Sequence, residues 1–323
     1  MQLALAAEMQ RLDRATIEEH HIPGMVLMEN AGSGTVEFMI SGLGPPEGKM
    51  MPVFVGPGNN GGDGLVIARL VQQRGGFPFL FFLTPPDRLQ GDAGRNAARA
   101  LELNLPSRVV HDEAALAAAM DELHELAVTR PVWSVVDALF GTGIKRPLSG
   151  HYRAAVRAIN QLRTEHHWPV TAVDLPTGLD ADTGQPMGDC VRADLTATYG
   201  LAKPGHFLHG GALVGQLRVV DIGIPPAAVQ RANLPGEALE STIFNALPAR
   251  AIASHKGSYG HLLILAGSAG KTGAAILAAR AALRMGAGLV TLAVPADLNP
   301  IFETSLLEAM TIPLPGSTSC LAI

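Results

Sequence analysis

The fold is decided by residues 51–64, Met51-Pro52-Val53-Phe54-Val55-Gly56-Pro57-Gly58-Asn59-Asn60-Gly61-Gly62-Asp63-Gly64. The apolar run before Gly56 has the length of a buried strand, and residues 65–74 have the periodicity of a helix. Glycines between a strand and a helix let the backbone approach a ligand closely, and the free N–H groups of a helix start attract phosphate. Because Asn59, Asn60 and Asp63 add side-chain oxygens that a simple turn does not need, the stretch predicts a phosphate-binding loop in an α/β sheet.

The same alternation of strands and helices continues on both sides of this loop. Further strands are predicted near residues 77–83, 109–110, 131–137, 169–174, 193–199 and 216–220. Helices are predicted near residues 3–20, 23–31, 65–74, 89–103, 113–128 and 151–162. Strands that alternate with helices of this length form parallel sheets covered on both faces. The sequence therefore predicts an α/β fold, a Rossmann-like three-layer parallel-sheet sandwich.

The chain is predicted to contain a second, shorter segment. We place the first domain at residues 1–240 and interpret the proline-containing residues 241–254 as a linker. Residues 255–323 then begin a new unit, with a strand, a helix and a strand near 261–266, 273–284 and 289–294. One such unit cannot cover both faces of its sheet, so we expect this segment to be an incomplete α/β domain.

Charge and cysteine content narrow the partners and the compartment. The chain has 24 Lys and Arg, 29 Asp and Glu, and a formal net charge of −5. This balance gives no reason to expect a nucleic acid or a membrane as partner. The N-terminus lacks the basic start of a signal peptide, and Cys190 and Cys320 fit no metal-binding spacing. We therefore expect a cytoplasmic protein with two inert thiols.

Two further predicted strands end in an acidic residue. Asp137 ends one of them, and a glycine-rich segment with two cationic residues, 141–146, follows it. Asp174 ends the next, and Thr177 offers a hydroxyl and a carbonyl near the same ridge. Because ligands bind at the carboxyl ends of the strands in open α/β sheets, Asp174 is a candidate general acid or base.

Three other patterns carry less weight. The nearest acid after the second strand, Asp87, lies beyond two prolines and is a poor ribose ligand. This disfavours a Rossmann-type oxidoreductase that uses intact NAD(P), which remains one alternative.

Gly270-Lys271-Thr272 lacks the first glycine of a P-loop, and the pairs His20-His21 and His166-His167 lack a third metal ligand.

Five motifs together resemble the NAD(P)H-hydrate epimerase family. They occur in order within residues 5–240: LMENAG (27–32), VGPGNNGGDG (55–64), VDALFGTG (136–143), VDLPTGLDADTG (173–184) and VVDIGIP (219–225). Residues from His255 to Pro295 resemble the start of a second family, the ADP-dependent NAD(P)H-hydrate dehydratases, which have a ribokinase-like fold. The two are often fused in this order in bifunctional repair enzymes.

The resemblance implies a small-molecule substrate, NADH or NADPH hydrated at C6 of the nicotinamide ring, and an isomerase that interconverts its R and S forms. It also implies a dinucleotide site formed by Asn59, Asn60, Gly61, Gly62, Asp63, Gly141, Thr142, Gly143, Ile144, Lys145, Arg146, Pro147, Tyr152 and Asp174. One potassium ion would be held by Asn60, Asp137 and Thr177, with Thr177 where the family usually has Ser. Asp174 would be the acid/base group. Our mechanistic hypothesis is that it protonates the departing C6 hydroxyl.

The resemblance implies less for the second segment. The dehydratase family's nucleotide-binding and catalytic segments lie further downstream than residue 323. We therefore expect no dehydratase activity here, and ADP or ATP only as a ligand of a complete dehydratase domain. A non-catalytic dinucleotide-binding protein is the third interpretation, and homo-oligomerisation is left open.

Overall fold

The structure is a computed structural model, which describes residues 1–144, 146–208, 211–247, 249–317 and 320–321. It divides into two compact units, an N-terminal unit, Met1–Glu240, and a C-terminal unit, Ser241–Ile323. Within the described residues, no helix is both long and apolar enough to cross a membrane.

The N-terminal unit alternates strands with helices along most of its length. Its strands are β1 (Gln2–Leu3), β2 (Met50–Val55), β3 (Phe77–Phe82), β4 (Ser107–Val109), β5 (Val135–Ala138), β6 (Val170–Val173), β7 (Leu195–Tyr199), β8 (Gln216–Val220) and β9 (Gly236–Glu237). Its α-helices are α1 (Ala6–Glu18), α2 (Gly24–Leu43), α3 (Asn59–Gln73), α4 (Gly91–Glu102), α5 (Glu113–Thr129), α6 (Gly150–His166), α7 (Gly211–Val214) and α8 (Pro226–Ala232). Short 3₁₀ turns cover Pro86–Arg88 and Pro204–His206.

One parallel sheet organises this unit. In the described residues its strand order is β4-β3-β2-β5-β6-β7-β8, and every neighbouring pair runs parallel. The chain moves outward in one direction from β2 to β4 and then returns to β5 on the other side of β2. This reversal creates a crevice at the carboxyl ends of β2 and β5, which is where open α/β sheets bind ligands.

Helices cover both faces of the sheet because its strands alternate their apolar side chains between two cores. Val53, Val55 and Val136 face the core that contains α2, α3 and α4. Phe54 and Val135 face the core that contains α5 and α6. Phe54 also stacks on a phenylalanine of β3 at a ring distance of 4.7 Å. The predicted α/β class and three-layer parallel-sheet sandwich are thus confirmed.

Two of the predicted helices have different starts. The helix expected over residues 3–20 begins at Ala6, because Gln2–Leu3 pairs as a short strand with β9. The helix expected over residues 65–74 begins at Asn59, so most of the glycine-rich loop forms the first turns of α3. The periodicity of apolar residues identified both helices. It cannot show that the N-terminal residues pair as a strand, or that a glycine-rich segment forms the first turns of a helix.

The C-terminal unit contains a smaller parallel sheet of order β10-β11-β12. Its main elements are β10 (His261–Leu265), α9 (Thr272–Met285), β11 (Leu289–Pro295), α10 (Asn299–Ser305) and β12 (Met310–Leu314). A hairpin of β13 (Gly316–Ser317) and β14 (Cys320–Leu321) follows, and 3₁₀ turns cover Ser241–Ala246, Lys256–Tyr259 and Ala296–Leu298. Its core is built by α9, β11 and α10 around Leu292, Val294 and Phe302.

Candidate active site

A cavity of about 360 Å³ opens in the N-terminal unit at the carboxyl ends of β2, β5 and β6. Helix α1 and the start of α3 contribute to its wall. Seven of the residues predicted from sequence to bind the dinucleotide line it: Asn59, Asn60, Asp63, Gly141, Thr142, Gly143 and Asp174. The structure therefore brings three separate sequence motifs into one site.

Most glycines of the 56–64 stretch serve close packing. A Cβ on Gly56 would collide with the carbonyl oxygen of Leu139, and one on Gly61 with the carbonyl oxygen of Gly56. Gly64 is similarly pressed against Ala138. Only with hydrogen at these positions can the start of α3 lie directly over the ends of β2 and β5. The free N–H groups of a helix start attract phosphate. Gly58 faces open space and lines the cavity itself.

Asp174 is placed by a strained backbone turn. Its φ of 64° lies in the left-handed region, which aspartate adopts at some cost. The N–H of Leu175 donates to the carbonyl of Val173 at 2.8 Å, which closes a tight turn around Asp174 directly after β6. Such strain is concentrated at functional sites, because the surrounding structure must hold it in place.

A buried lysine fixes the charge of this carboxylate. Lys203 is 1% exposed, and its Nζ donates to Oδ1 of Asp174 at 2.6 Å and to Oγ1 of Thr198 at 2.8 Å. Thr198 in turn donates to the same Oδ1 at 3.0 Å. Burial opposes ionisation of Asp174, but the attraction of Lys203 outweighs it and holds the pKa of Asp174 below its usual value. Asp174 is therefore a carboxylate at neutral pH.

Oδ2 of Asp174 is directed toward the segment that follows β5. A Cβ on Gly141 would lie only 2.7 Å from this oxygen and 3.0 Å from Oδ1 of Asn60. Both oxygens belong to residues that line the cavity. Gly141 thus allows a carboxylate oxygen and an amide oxygen to approach the same point of the backbone.

His206 holds the lysine loop against Asp174. Its Nδ1 accepts from the backbone N–H of Lys203 at 3.0 Å, so the proton of the neutral ring is on Nε2, which donates to the carbonyl of Asp174 at 2.9 Å. Burial, with the nearby charge of Lys203, lowers the pKa of His206 to about 4. The ring is therefore neutral near pH 7 and acts as a fixed bridge.

Two further carboxyls share the cavity with this ion pair. Burial, and then the negative charges of Asp174 and Asp13, raise the pKa of Asp63 well above its usual value. Burial also raises the pKa of Asp13 to about 6, with Lys203 opposing the shift and Asp174 adding to it. The cavity thus combines one carboxylate whose pKa is lowered with two carboxyls whose pKa values are raised, a combination typical of acid–base sites.

Asp137 and Thr177 are fully buried and do not line the cavity. The backbone N–H of Thr177 donates to one oxygen of Asp137 at 2.8 Å, and its hydroxyl donates to the other at 2.7 Å. Burial nevertheless raises the pKa of Asp137 to about 6. Asn60 is the third predicted potassium ligand. Its amide nitrogen is also buried and makes no hydrogen bond within the described part of the chain.

Several other predicted contacts do not line the cavity. Gly61 and Gly62 pack inside the first turns of α3, and Ile144 is buried. Arg146 and Pro147 are exposed. Tyr152 contacts Phe140, a residue of the cavity wall, at a ring distance of 5.1 Å, and its hydroxyl pairs with Thr84. Lys145 lies outside the described residues.

Sequence reasoning did not identify Lys203, His206 or Asp13 as site residues. Lys203 and His206 follow β7, a correctly predicted strand. Their position after the carboxyl end of a parallel strand could have identified them as candidates. Asp13 carried no such signal, because it lies on an amphipathic helix whose polar residues are expected to face solvent.

A family model described as YjeF-related protein N-terminus matches residues 24–205, and one described as NAD(P)H-hydrate dehydratase matches residues 262–322. Relatives named bifunctional NAD(P)H-hydrate repair enzyme Nnr include those of Moorella thermoacetica, 41% identical over 98% of this chain, and Thermofilum pendens, 38% identical over 93%. The chain spans 58% and 54% of their respective lengths.

A crystal structure of a yeast protein, ynu0, YNL200c, has the same fold. The two structures superimpose with a TM-score of 0.60 at 21% sequence identity. The superposition covers 75% of this chain and 98% of the yeast chain. The family model extends over more than half of the chain and includes β2 through β7 and most of the residues that line the cavity. The chain therefore belongs to the family described as YjeF-related protein N-terminus.

Proposed function

We propose that the N-terminal unit interconverts the R and S forms of the hydrates of NADH and NADPH. The observation that carries the proposal is the cavity at the switch point of the sheet, where Lys203 keeps Asp174 ionised beside two carboxyls whose pKa values are raised. Relatives of similar sequence are named as NAD(P)H-hydrate repair enzymes, which supports this substrate class.

The reaction needs proton transfer at two stages. In the hydrate, the C6 hydroxyl is on a carbon next to ring nitrogen N1. The C6–O bond breaks with its electron pair on oxygen, the oxygen takes up a proton and leaves as water, and the N1 lone pair forms a C6=N1 iminium. Water then adds to the opposite face of the planar carbon and loses a proton to a base, which gives the other epimer.

The charge of Asp174 determines which of these steps it serves. The hypothesis that Asp174 protonates the departing hydroxyl does not fit a carboxylate whose pKa is held low by Lys203. As an ionised group in a poorly solvated cavity, Asp174 instead stabilises the cationic iminium and accepts the proton of the incoming water. A different group must then supply the first proton.

Asn60, Asp137 and Thr177 fit a bound potassium ion by their chemistry. Asp137 is a buried carboxylate whose hydrogen-bond partners within the described chain are all neutral. A monovalent cation with oxygen ligands would offset the cost of burying this charge. We propose that these residues hold potassium, which would supply positive charge beside the dinucleotide when bound.

Potassium binding can be tested without the reaction. Adding KCl should raise the melting temperature of the purified chain relative to tetramethylammonium chloride at equal ionic strength. The difference should vanish in Asp137→Asn, because the neutral amide no longer needs a compensating cation. An equal rise in that variant would show that potassium acts elsewhere.

The function is tested by mixing the purified chain with the R hydrate and separating the epimers over time. We expect conversion to the S form far above the spontaneous rate, and incorporation of ¹⁸O from labelled water into the product. Asp174→Asn should lower the rate by about 100-fold or more, the usual contribution of general acid–base catalysis. Asp87→Asn, an exposed acid outside the cavity, is the matched control and should behave as wild type.

Two outcomes would contradict the proposal. Conversion of the R form no faster than in buffer would exclude epimerisation, and hydride transfer to a second substrate would favour the oxidoreductase alternative. A parallel reaction with ADP or ATP, with and without a separate dehydratase, tests the expectation that residues 255–323 do not dehydrate the S form. Cytoplasmic location and homo-oligomerisation remain predictions.

A further inference from the structure

The proposed reaction requires a proton donor that Asp174 and Lys203 cannot provide. Asp174 is ionised, and the ammonium of Lys203 donates to Asp174, Thr198 and the carbonyl of Tyr199. Lys203 is also almost completely shielded from solvent. The other acidic residues with an unpaired carboxyl near this ion pair, within the described part of the chain, are Asp13 and Asp63.

Asp13 reaches the cavity because the N-terminal segment is anchored beside the lysine loop. Leu3 bridges to Ala202, and the N–H of Ala4 donates to the carbonyl of Ala202 at 3.0 Å, one residue before Lys203. The N–H of Ala6 donates to Oδ1 of Asp182 at 2.7 Å, which fixes the start of α1 against the loop that follows β6. The position of α1 is thus set by both loops that carry the ion pair.

One face of α1 then lines the cavity. Gln10, Asp13 and Ile17 follow the three- and four-residue spacing of a helix face, and all three line the cavity. Met9 and Leu12 bury the adjacent face. Oδ1 of Asp13 is shielded from solvent and has no hydrogen-bond partner among the residues that the structure describes. A shielded carboxyl oxygen without a donor favours the protonated acid or a ligand that donates to it.

Asp13 suits a reversible proton donor better than Asp63 does. Asp63 lies in the first turns of α3 with Asn59 and Asn60, the part of the site suited to phosphate. Burial, and then the charges of Asp174 and Asp13, raise the pKa of Asp63, so this carboxyl holds its proton more tightly than a free carboxyl does. The pKa of Asp13, about 6, is close to neutrality, so it can both donate and accept.

We propose that Asp13 is a second catalytic carboxyl, which protonates the oxygen that leaves one face of C6 while Asp174 accepts the proton of the water that adds to the other face. This inference rests on the proposed epimerase function. After one turnover Asp174 carries the proton taken from the entering water and Asp13 is ionised; exchange with solvent then returns Asp174 to the carboxylate and Asp13 to the acid. The reverse reaction retraces the same proton transfers from that transient state. Two groups from different elements are needed because the leaving and entering oxygens occupy opposite faces of a planar carbon.

The charged and titratable groups facing Asp13 are Lys203, Asp174 and Asp63, and they define the expected pH profile. Activity requires Asp13 protonated with Asp174 ionised. The value of kcat/KM should therefore fall as the pH rises through about 6, the pKa of Asp13. It should also fall at low pH, when Asp174 becomes protonated.

The test compares Asp13→Asn with wild type and with Glu18→Gln, an exposed acid on the same helix. We expect Asp13→Asn to lower kcat/KM by about 100-fold or more and to lose the fall near pH 6. Its affinity for the equilibrated mixture of R and S hydrates, measured by calorimetry, should stay within about threefold of wild type because the dinucleotide contacts remain. Glu18→Gln should match wild type in all three measurements.

A second variant separates chemistry from folding. Asp13→Ala leaves space for a small carboxylic acid, so added formate should restore part of its rate with a dependence on formate concentration and pH. Wild-type rates in Asp13→Asn, or no rescue of a folded Asp13→Ala, would overturn the role of Asp13 while leaving an active wild type and an inactive Asp174→Asn intact. A wild type without epimerase activity would instead overturn the proposed function, and the role of Asp13 with it.

Discussion

The two units share a strand–helix–strand pattern but differ in how completely their sheets are covered. Strands β2, β5 and β6 are buried at every position. In the C-terminal unit, β11 is largely buried, whereas Leu262, Leu263 and Leu265 of β10 are 44%, 53% and 48% exposed. The leucine-rich sequence of β10 has the apolar run of a buried strand, so its exposure follows from the helices available to cover it and not from its own composition.

The two units also differ in their ion pairs. Among the described residues, every ion pair lies in the N-terminal unit, and the one between Asp174 and Lys203 is the most buried. A sheet covered on both faces creates the poorly solvated region in which a lysine can fix the charge of a carboxylate. A partly covered sheet leaves its polar groups near water, where their pKa values shift less. Catalytic groups are therefore expected in the N-terminal unit.

The largest expected effect comes from removing the buried cation of the N-terminal unit. Lys203→Met leaves the Asp174 carboxylate buried and unpaired, which should lower the free energy of unfolding by about 3–5 kcal/mol. Urea unfolding followed by tryptophan fluorescence reports on this unit, because Trp133 and Trp168 both lie in it. The double variant with Asp174→Asn should recover part of the loss. Equal losses in the single and double variants would show that the charge is not the cause.

A matched pair of leucines tests the effect of coverage directly. Leu80 of β3 is 0% exposed and Leu263 of β10 is 53% exposed. Leu80→Ala should cost about 3 kcal/mol through lost burial and the cavity left behind, whereas Leu263→Ala should cost less than about 0.5 kcal/mol. Urea unfolding measures the first effect and amide hydrogen exchange of β10 and β11 measures the second. A large loss of protection in Leu263→Ala would mean that β10 is covered in solution.

A smaller effect should follow from the raised pKa of Asp13, about 6. An acid whose pKa is raised on folding stabilises the folded state at low pH and loses that contribution as the pH rises through its folded value. The free energy of unfolding of Asp13→Asn should therefore rise by about 1 kcal/mol relative to that of wild type between pH 5 and pH 7. His206 and Asp174 titrate in both proteins, so the difference in urea unfolding isolates Asp13. If the difference in unfolding free energy between Asp13→Asn and wild type became smaller as the pH rises, this would contradict the raised pKa of Asp13.

The smallest expected effect concerns helix capping. The side chain of Asp112 accepts from the N–H of Ala115 at 2.7 Å and caps α5, whereas Lys271 at the start of α9 provides no side-chain cap. Lys271→Asp should stabilise α9 by about 0.5 kcal/mol, a modest gain for an N-cap substitution. Hydrogen exchange of the first amides of α9 should slow accordingly. Asp112→Ala is the reciprocal control and should destabilise α5.

Much of the site was predictable because its central residues follow strands. Asp137 and Asp174 end predicted strands, and parallel strands present their carboxyl ends at one edge of a sheet, so their proximity follows from the fold class. Lys203 has the same relation to β7, but a single lysine after a strand is ordinary in sequence. Asp13 is harder to predict, since it reaches the cavity through pairing of Leu3 and Ala4 with Ala202, far away in the chain.

The sequence by itself determined the alternation of elements, the α/β class, and the acidic residues at the carboxyl ends of β5 and β6, because periodicity and strand termini are local properties of the chain. Only the tertiary structure decided in which direction the pKa of each of those carboxyls shifts. Asp174 and Asp137 are both aspartates at strand ends, yet Lys203 lowers the pKa of one and burial raises the pKa of the other to about 6. Charge state depends on desolvation and on neighbours brought together by folding, and neither can be read from local sequence.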